Sequence, residues 1–256
     1  MRTALYSYAV LLPFAGQDRA LADLRGVADR PVHVVPTSGL SVAVSHVPAA
    51  DFDDEALKRR LEDLPWLEAT ARAHHRVVEA LSGRTTVLPL RLATIHRDEH
   101  RLAATFAQKR QACADALATL SGRQEWGVKI YALPPAQAPA EPVAPGTSPG
   151  KAYLLQRRAQ RQYAEGSERQ ALALADRMDG ELAGLVTASR RHRAQAGQLS
   201  DGPGTNIANT AYLVHREKSG AFASRVEQAA AAVPDVRVEL TGPWAPYSFA
   251  GIGDLS

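Results

Sequence analysis

The amino-acid sequence predicts an α+β protein: an N-terminal sheet-and-helix domain followed by a C-terminal domain with long helices and a small sheet. Three features lead there. Apolar runs of strand length and apolar stripes of helical period both recur along the 256 residues, marking strands and amphipathic helices respectively. They succeed one another as hairpins and helices, without the repeated strand–helix rhythm of a doubly wound parallel sheet. One stretch, 134–149, is rich in proline and alanine and carries no apolar period, so it reads as a linker. The expected domains are therefore 1–133 and 150–256.

Residues 5–12 form a β-rich apolar run closed by Pro13, a candidate buried strand. The N-terminus superficially looks like a signal peptide. Tyr6, Ser7 and Tyr8 interrupt its apolar run, and a charged amphipathic stretch follows, so a strand is expected and the chain is expected to stay where it is made. A short helix follows at 18–24. Strands are expected at 32–35 and 40–47, joined by Pro36, Thr37, Ser38 and Gly39, with Pro36 presetting φ and Gly39 taking the strained position. The second of these strands alternates Leu40, Val42 and Val44 with Ser41, Ala43 and Ser45, as a half-buried strand does. Residues 51–81 read as a broken helix. Its stripes are Leu57, Leu61 and Leu64, then Leu67, Ala71, His74, Val78 and Leu81, with Pro65 suited to the first turn of a restarted helix. Gly83 ends it. A strand bent by Pro89 at 86–95, a helix at 98–120 and a strand at 126–133 complete the first domain.

The second domain opens with a helical region expected over 151–196, on the spacing of Ala171, Leu174, Met178, Leu182, Leu185 and Ser189. Arg190, Arg191, His192 and Arg193 would then complement the C-terminal end of its dipole. A loop at 197–206, a strand at 209–215, a helix at 219–232 and a strand at 236–240 follow. The tail from Thr241 carries Pro243, Trp244, Pro246, Tyr247 and Phe249.

Composition narrows the function classes. Hydrophobic residues at 45% and charged residues at 22% allow a real core. The net charge of +3 is too small an excess to argue for nucleic acid or anionic lipid by itself. No apolar run reaches the roughly 20 residues of a membrane span. The single cysteine, Cys113, permits no intramolecular disulfide and suits a reducing cytoplasm; set between alanines, it reads as an inert packing thiol.

Catalytic patterns fail one by one. His96 and His100, four apart, would share a helix face, but the carboxylate of Glu99 sits beside the second histidine, unlike the zinc-protease motif, and no third ligand is near in sequence. No metal and no cofactor are expected. His96-Arg97-Asp98 matches the kinase triplet in letters only. Gly202-Pro203-Gly204 lacks the strand and glycine pattern of dinucleotide binding. The arginines 157/158/161 and 190/191/193 are the candidates for nucleic acid. Interspersed Glu165, Glu168, Asp176 and Asp179 and the scarcity of aromatics favour a solvated face instead.

Several segments, in order, resemble the gas vesicle GvpL/GvpF family. They are Leu5-Tyr6-Ser7-Tyr8-Ala9-Val10, 39–45, Trp66-Leu67-Glu68 leading to His74, and 86–92. Glu125-Trp126-Gly127-Val128-Lys129 and Gly150-Lys151-Ala152-Tyr153-Leu154 follow. The most specific are Asn209-Thr210-Ala211-Tyr212-Leu213-Val214 and the block 240–249, containing Thr241-Gly242-Pro243-Trp244. The chain departs from the family pattern at Leu92, where an aromatic is expected, at Ala93, where Gly is expected, and at Ala245, where Pro is usual. These departures leave the L or F branch open.

The resemblance implies a two-domain α/β protein, not an enzyme, that serves in building gas vesicles. It would contact the very hydrophobic shell protein or other accessory proteins in the cytoplasm, with no catalytic residue to carry over. A partner that covers apolar shell surface needs apolar or aromatic groups on a soluble scaffold. Trp244, Tyr247 and Phe249, held among prolines, are the candidate protein-binding residues; the alternative is that this tail packs on its own domain. Two other functions remain to be separated from this one. The first is an enzyme using His74, His96 or nearby carboxylates, which needs those groups to converge in a cleft. The second is a nucleic-acid binder using the arginines, which needs a free basic face.

Overall fold

The structure, a computed structural model, describes residues 2–134, 149–194 and 203–251. The chain divides into two compact units: the residues up to Gln124 together with those from Trp244 onward, and Glu125–Pro243. The expected linker lies, except at its two ends, outside the described residues, as does most of the expected loop at 197–206.

The first unit begins with β1 (Thr3–Leu11), α1 (Gln17–Leu21), a 3-10 turn (Val27–Asp29), β2 (His33–Thr37) and β3 (Leu40–Pro48). Then come α2 (Ala49–Phe52), α3 (Asp54–Leu61), α4 (Leu64–Ser82), β4 (Val87–His96), α5 (Glu99–Gln108) and α6 (Arg110–Leu120). The strands form an antiparallel sheet in the order β2-β3-β1-β4. Every residue of β1 after Thr3 is buried, which explains its largely apolar run: a central strand covered on both faces needs no polar alternation, and its one buried serine, Ser7, finds a hydrogen-bond partner inside. On one face Ala73, Val77, Val78 and Leu81 of α4 pack with Tyr6, Tyr8, Ala43 and Val47. On the other, α5 and α6 bury Leu102, Phe106, Cys113, Leu117 and Leu120.

Side-chain caps set the helix starts. Asp53, Asp63 and Asp98 accept from the amides of Ala56, Trp66 and Arg101, each satisfying an amide that lacks a helical partner. Two of these caps split the expected helix at 51–81 into α2, α3 and α4. The restart at Asp63 changes the helical phase before Leu64, which is exposed, and Leu61, the last residue of α3, is exposed as well, so neither forms a buried stripe with Leu57. The expected helix at 98–120 is likewise two helices, the second hooked to the β2–β3 hairpin by Arg110, whose Nε donates to the Ser38 carbonyl at 2.8 Å. The hairpin itself turns at Ser38 and Gly39, both at positive φ (50° and 83°), as a two-residue turn of matching twist requires. Pro36 is not in the turn; it pairs with Ser41 within β2. An edge strand tolerates proline there.

The second unit holds β5 (Arg123–Ala132), α7 (Pro149–Leu182), β6 (Val186–Arg191), β7 (Thr205–His215), α8 (Ser219–Ala231) and β8 (Val236–Trp244). Its sheet has the order β6-β7-β5-β8. Ala171, Leu174, Met178 and Leu182 of α7 pack with Phe222 and Val226 of α8 and Tyr212 and Val214 of β7. The helix stops at Leu182, so Leu185 and Ser189 do not continue its stripe. Residues 186–191 pair with β7 instead, a case of tertiary pairing overriding local period. The arginines at 190 and 191 therefore lie on a strand and not at a helix end.

Both sheets have the same connectivity. Each runs strand–helix–strand–strand–helix–strand, and in its own count each has the strand order 2-3-1-4. This is the split β-α-β, ferredoxin-like arrangement, used twice; α5 and α6 are additions to the first copy. Two boundaries differ from those expected. The strand β5, assigned by its sequence to the first domain, pairs in the second sheet, and the tail from Trp244 joins the first unit.

Phe222 is fully buried in the second unit, its ring 5.5 Å from Tyr212 and 5.9 Å from Trp126. Phe222→Ala is expected to cost about 3–5 kcal/mol, read as a fall in the urea midpoint of the transition that includes this unit.

Candidate functional site

Neighbouring residues of a strand point to opposite faces, and β1 uses this to place two histidines. Tyr6 points to α4, where its hydroxyl lies 3.0 Å from His74 Nδ1. Ser7 points the other way, where its hydroxyl lies 3.1 Å from His96 Nδ1. His74 and His96 are both buried, on opposite faces of one sheet, and share no cleft. His96 ends β4 beside Phe106, while His100 is exposed on α5. The two do not form the expected i, i+4 pair, because β4 ends between them. The convergence that the enzyme alternative needs is not formed by these residues.

The Tyr6–His74 pair is part of a buried polar set. The Tyr6 hydroxyl accepts from the Ala93 amide at 3.1 Å and so spends its own proton on His74. That makes His74 Nδ1 an acceptor and the ring neutral. Burial pushes the His74 pKa down to about 4; His75 adds in the same direction and the Leu90 carbonyl opposes. Tyr6 is raised by burial, against the Ala93 amide. Next along the strand, the Tyr8 hydroxyl accepts from Val27 N at 2.8 Å and donates to Ser45 Oγ at 2.9 Å. A Cβ on Gly26 would stand 2.0 Å from that hydroxyl, so the close approach requires glycine.

The tail docks over this core. Ala245 is buried, and its amide donates to Glu79 Oε1 at 2.8 Å across 166 residues of sequence. Pro246 is buried too. Tyr247 stands 6.2 Å from His74 and 6.1 Å from His75, and Trp244 meets His75 edge-on at 5.5 Å. The backbone then closes a 3-10 turn at Tyr247–Phe249. Of the three candidate binding residues, Phe249 is half-buried, while Trp244 is 43% and Tyr247 36% exposed. The tail thus packs on the first unit and still leaves two aromatic rims open. The anchors, His75 and Glu79, had no signal in the sequence, because nothing local ties α4 to a segment so distant.

The arginine candidates are divided. Arg191 pairs with Asp179 at 2.9 Å and Arg161 with Glu165 at 3.4 Å. Arg157 and Arg158 are exposed on the first half of α7, beside exposed Tyr153, Leu154 and Leu155. Cys113 is buried, and burial raises its thiol pKa against the influence of Lys109.

Two outcomes follow from the buried set. A histidine held below its ordinary value leaves the unfolded chain binding more protons between pH 6.5 and about 4. Stability is therefore complete above pH 6.5 and declines as pH falls through that window, by on the order of 3 kcal/mol. His74→Gln, which keeps an acceptor for Tyr6, should flatten that decline in urea titrations across the window. Ala93 sits at φ 60° in the β4 bulge, where Pro89 pairs with Ala9 and Thr94 with Ser7. Left-handed backbone costs a residue with Cβ about 1–2 kcal/mol, and glycine returns part of that in unfolded-state entropy. Ala93→Gly should raise stability by up to about 1 kcal/mol in the same assay.

The sequence profile described as "Gas vesicle synthesis protein GvpL/GvpF" matches residues 4–251. The chain is 44% identical over 252 residues to gas vesicle protein L of a Streptomyces species, an alignment covering 97% of this chain and 93% of that protein. Against gas vesicle protein F of the same organism, identity is 26% over 88% of this chain and 90% of that one. The crystal structure of GvpF from an Anabaena species superposes with a TM-score of 0.68 at 18% identity, covering 98% of each chain; this likeness concerns the fold. None of these names is an enzyme's. The chain, with its two α+β units, belongs to the gas vesicle GvpL/GvpF family.

Proposed function

We propose that this protein, of the L type, acts in gas vesicle assembly in the cytoplasm by binding the hydrophobic shell protein and other accessory proteins. Family membership supports the gas vesicle role. The observation that supports a docking role is the tail: Trp244 and Tyr247 are held by buried neighbours and a backbone hydrogen bond, yet keep open aromatic faces. An aromatic fixed in place loses little entropy on binding and exposes large contact area, the chemistry suited to an apolar shell subunit. A second exposed group, Tyr153, Leu154 and Leu155 on α7, stands among Lys151, Arg157 and Arg158. Its mixed apolar and basic character suits an accessory protein with apolar and acidic surface.

The two surfaces can be told apart by co-purification of the full chain with shell protein. Trp244→Ala with Tyr247→Ala should lower capture by about tenfold or more, with the circular dichroism spectrum unchanged. Leu154→Ser with Leu155→Ser should leave shell capture intact. Undiminished capture by the folded tail variant removes this assignment, and normal vesicles in a strain lacking the protein remove the assembly role.

A further inference from the structure

Among the described residues, one group of three potential metal ligands converges: His33 on β2, His46 on β3 and Glu99 at the start of α5. The backbone places them. In the β2–β3 register His33 pairs with Val44, so His46, two residues on, lies diagonally across on the same face. That face is the one covered by α5, whose first residue is Glu99. The two imidazoles stack with centroids 4.9 Å apart and planes 15° from parallel. One donor atom from each of the three residues lies within 4.8 Å of both others. His33 is half-buried, while His46 and Glu99 are exposed, so the site opens to solvent on one side. The three groups already act on one another: burial and His46 lower the His33 pKa, and the Glu99 carboxylate opposes.

We propose that His33, His46 and Glu99 form a binding site for a divalent transition-metal ion of the zinc class. The two imidazoles are borderline donors that favour zinc and its neighbours over magnesium or calcium, and the carboxylate is a harder donor that zinc also accepts. A tetrahedral ion holds adjacent donors roughly 3.3 Å apart. The three therefore close up around it by side-chain rotation, which the exposure of His46 and Glu99 permits. Three protein ligands leave a fourth position to water or to a donor from another molecule. The bound ion ties the edge strand β2, strand β3 and helix α5 together, and its binding energy adds to the stability of the first unit.

The test uses the full chain without an affinity tag, stripped with chelator and titrated with zinc chloride by calorimetry. One site is expected, with the thermal midpoint raised by roughly 5 °C or more at saturation. Outer-shell changes at metal sites already weaken binding by about 10–100-fold, so His46→Ala and Glu99→Gln should each weaken this site by at least about tenfold. His100→Ala, adjacent on α5 but outside the group, should not. Cobalt provides a readout independent of any variant, since the intact protein should give the visible bands of a tetrahedral site. Zinc taken up equally by wild type and His46→Ala, or absent cobalt bands in wild type, overturns the proposal.

Discussion

The first unit is organised around two tyrosine hydroxyls buried on one face of a central strand. Tyr6 and Tyr8 are fully buried, and an unpaired buried hydroxyl costs about 1–3 kcal/mol. Each must find both a donor and an acceptor inside the protein, and the surroundings supply them. For Tyr6 the donor is the Ala93 amide, available only because β4 bulges between Pro89 and Thr94 and puts Ala93 at positive φ. For Tyr8 the donor is the Val27 amide, reachable only because Gly26 has no side chain. The acceptors are His74, kept neutral, and Ser45, whose own proton goes to the Pro31 carbonyl. A bulge, a glycine and a histidine tautomer are thus consequences of one requirement.

Much of this architecture was legible in local pattern. The run at 5–12 marks β1, a strand buried on both faces and largely apolar. The alternation of Leu40, Val42 and Val44 with Ser41, Ala43 and Ser45 marks β3, but the half-buried strand it suggested is buried on both faces, because α4 covers one side and α5 and α6 the other. The family resemblance identified position 93 as one where glycine is usual; the left-handed backbone there supplies the physical reason. What local pattern could not carry were the long-range choices. Residues 186–191 have neither strong helical nor strong strand character, and pairing with β7 decides between them. The cap at Asp63 outweighed the leucine spacing across 61–64, since a new start resets the phase of every later residue. The duplicated connectivity was invisible because the two copies share strand order and not residues.

The candidate site shows the same division. Trp244, Tyr247 and Phe249 stand out in sequence as aromatics among prolines, but their exposure depends on what they lie against. The partners are His75 and Glu79 on α4, chosen by tertiary structure alone. His33, His46 and Glu99 come from three separate segments, so a search for ligands at short spacing attends to His96 and His100, which the end of β4 separates.

Ala245 shows how one departure from the family pattern acts physically. Proline is usual at this position and has no amide hydrogen, so it cannot make the bond to Glu79 that Ala245 makes. Proline instead restricts the chain before folding, lowering the entropy lost when the tail is placed. Alanine gives up that restriction and gains a charge-assisted hydrogen bond, of the kind worth about 1.5–3 kcal/mol where water is excluded. Ala245 is itself buried, while Glu79 is only half-buried, so the gain lies toward the lower end of that range. The two residues act on the same stretch by different means, and here the bond from Ala245 holds the backbone beside Pro246 while Trp244 and Tyr247 rest on His74 and His75 with their rims exposed. A backbone held in this way keeps large apolar groups partly open in water, because a flexible tail would bury them against itself.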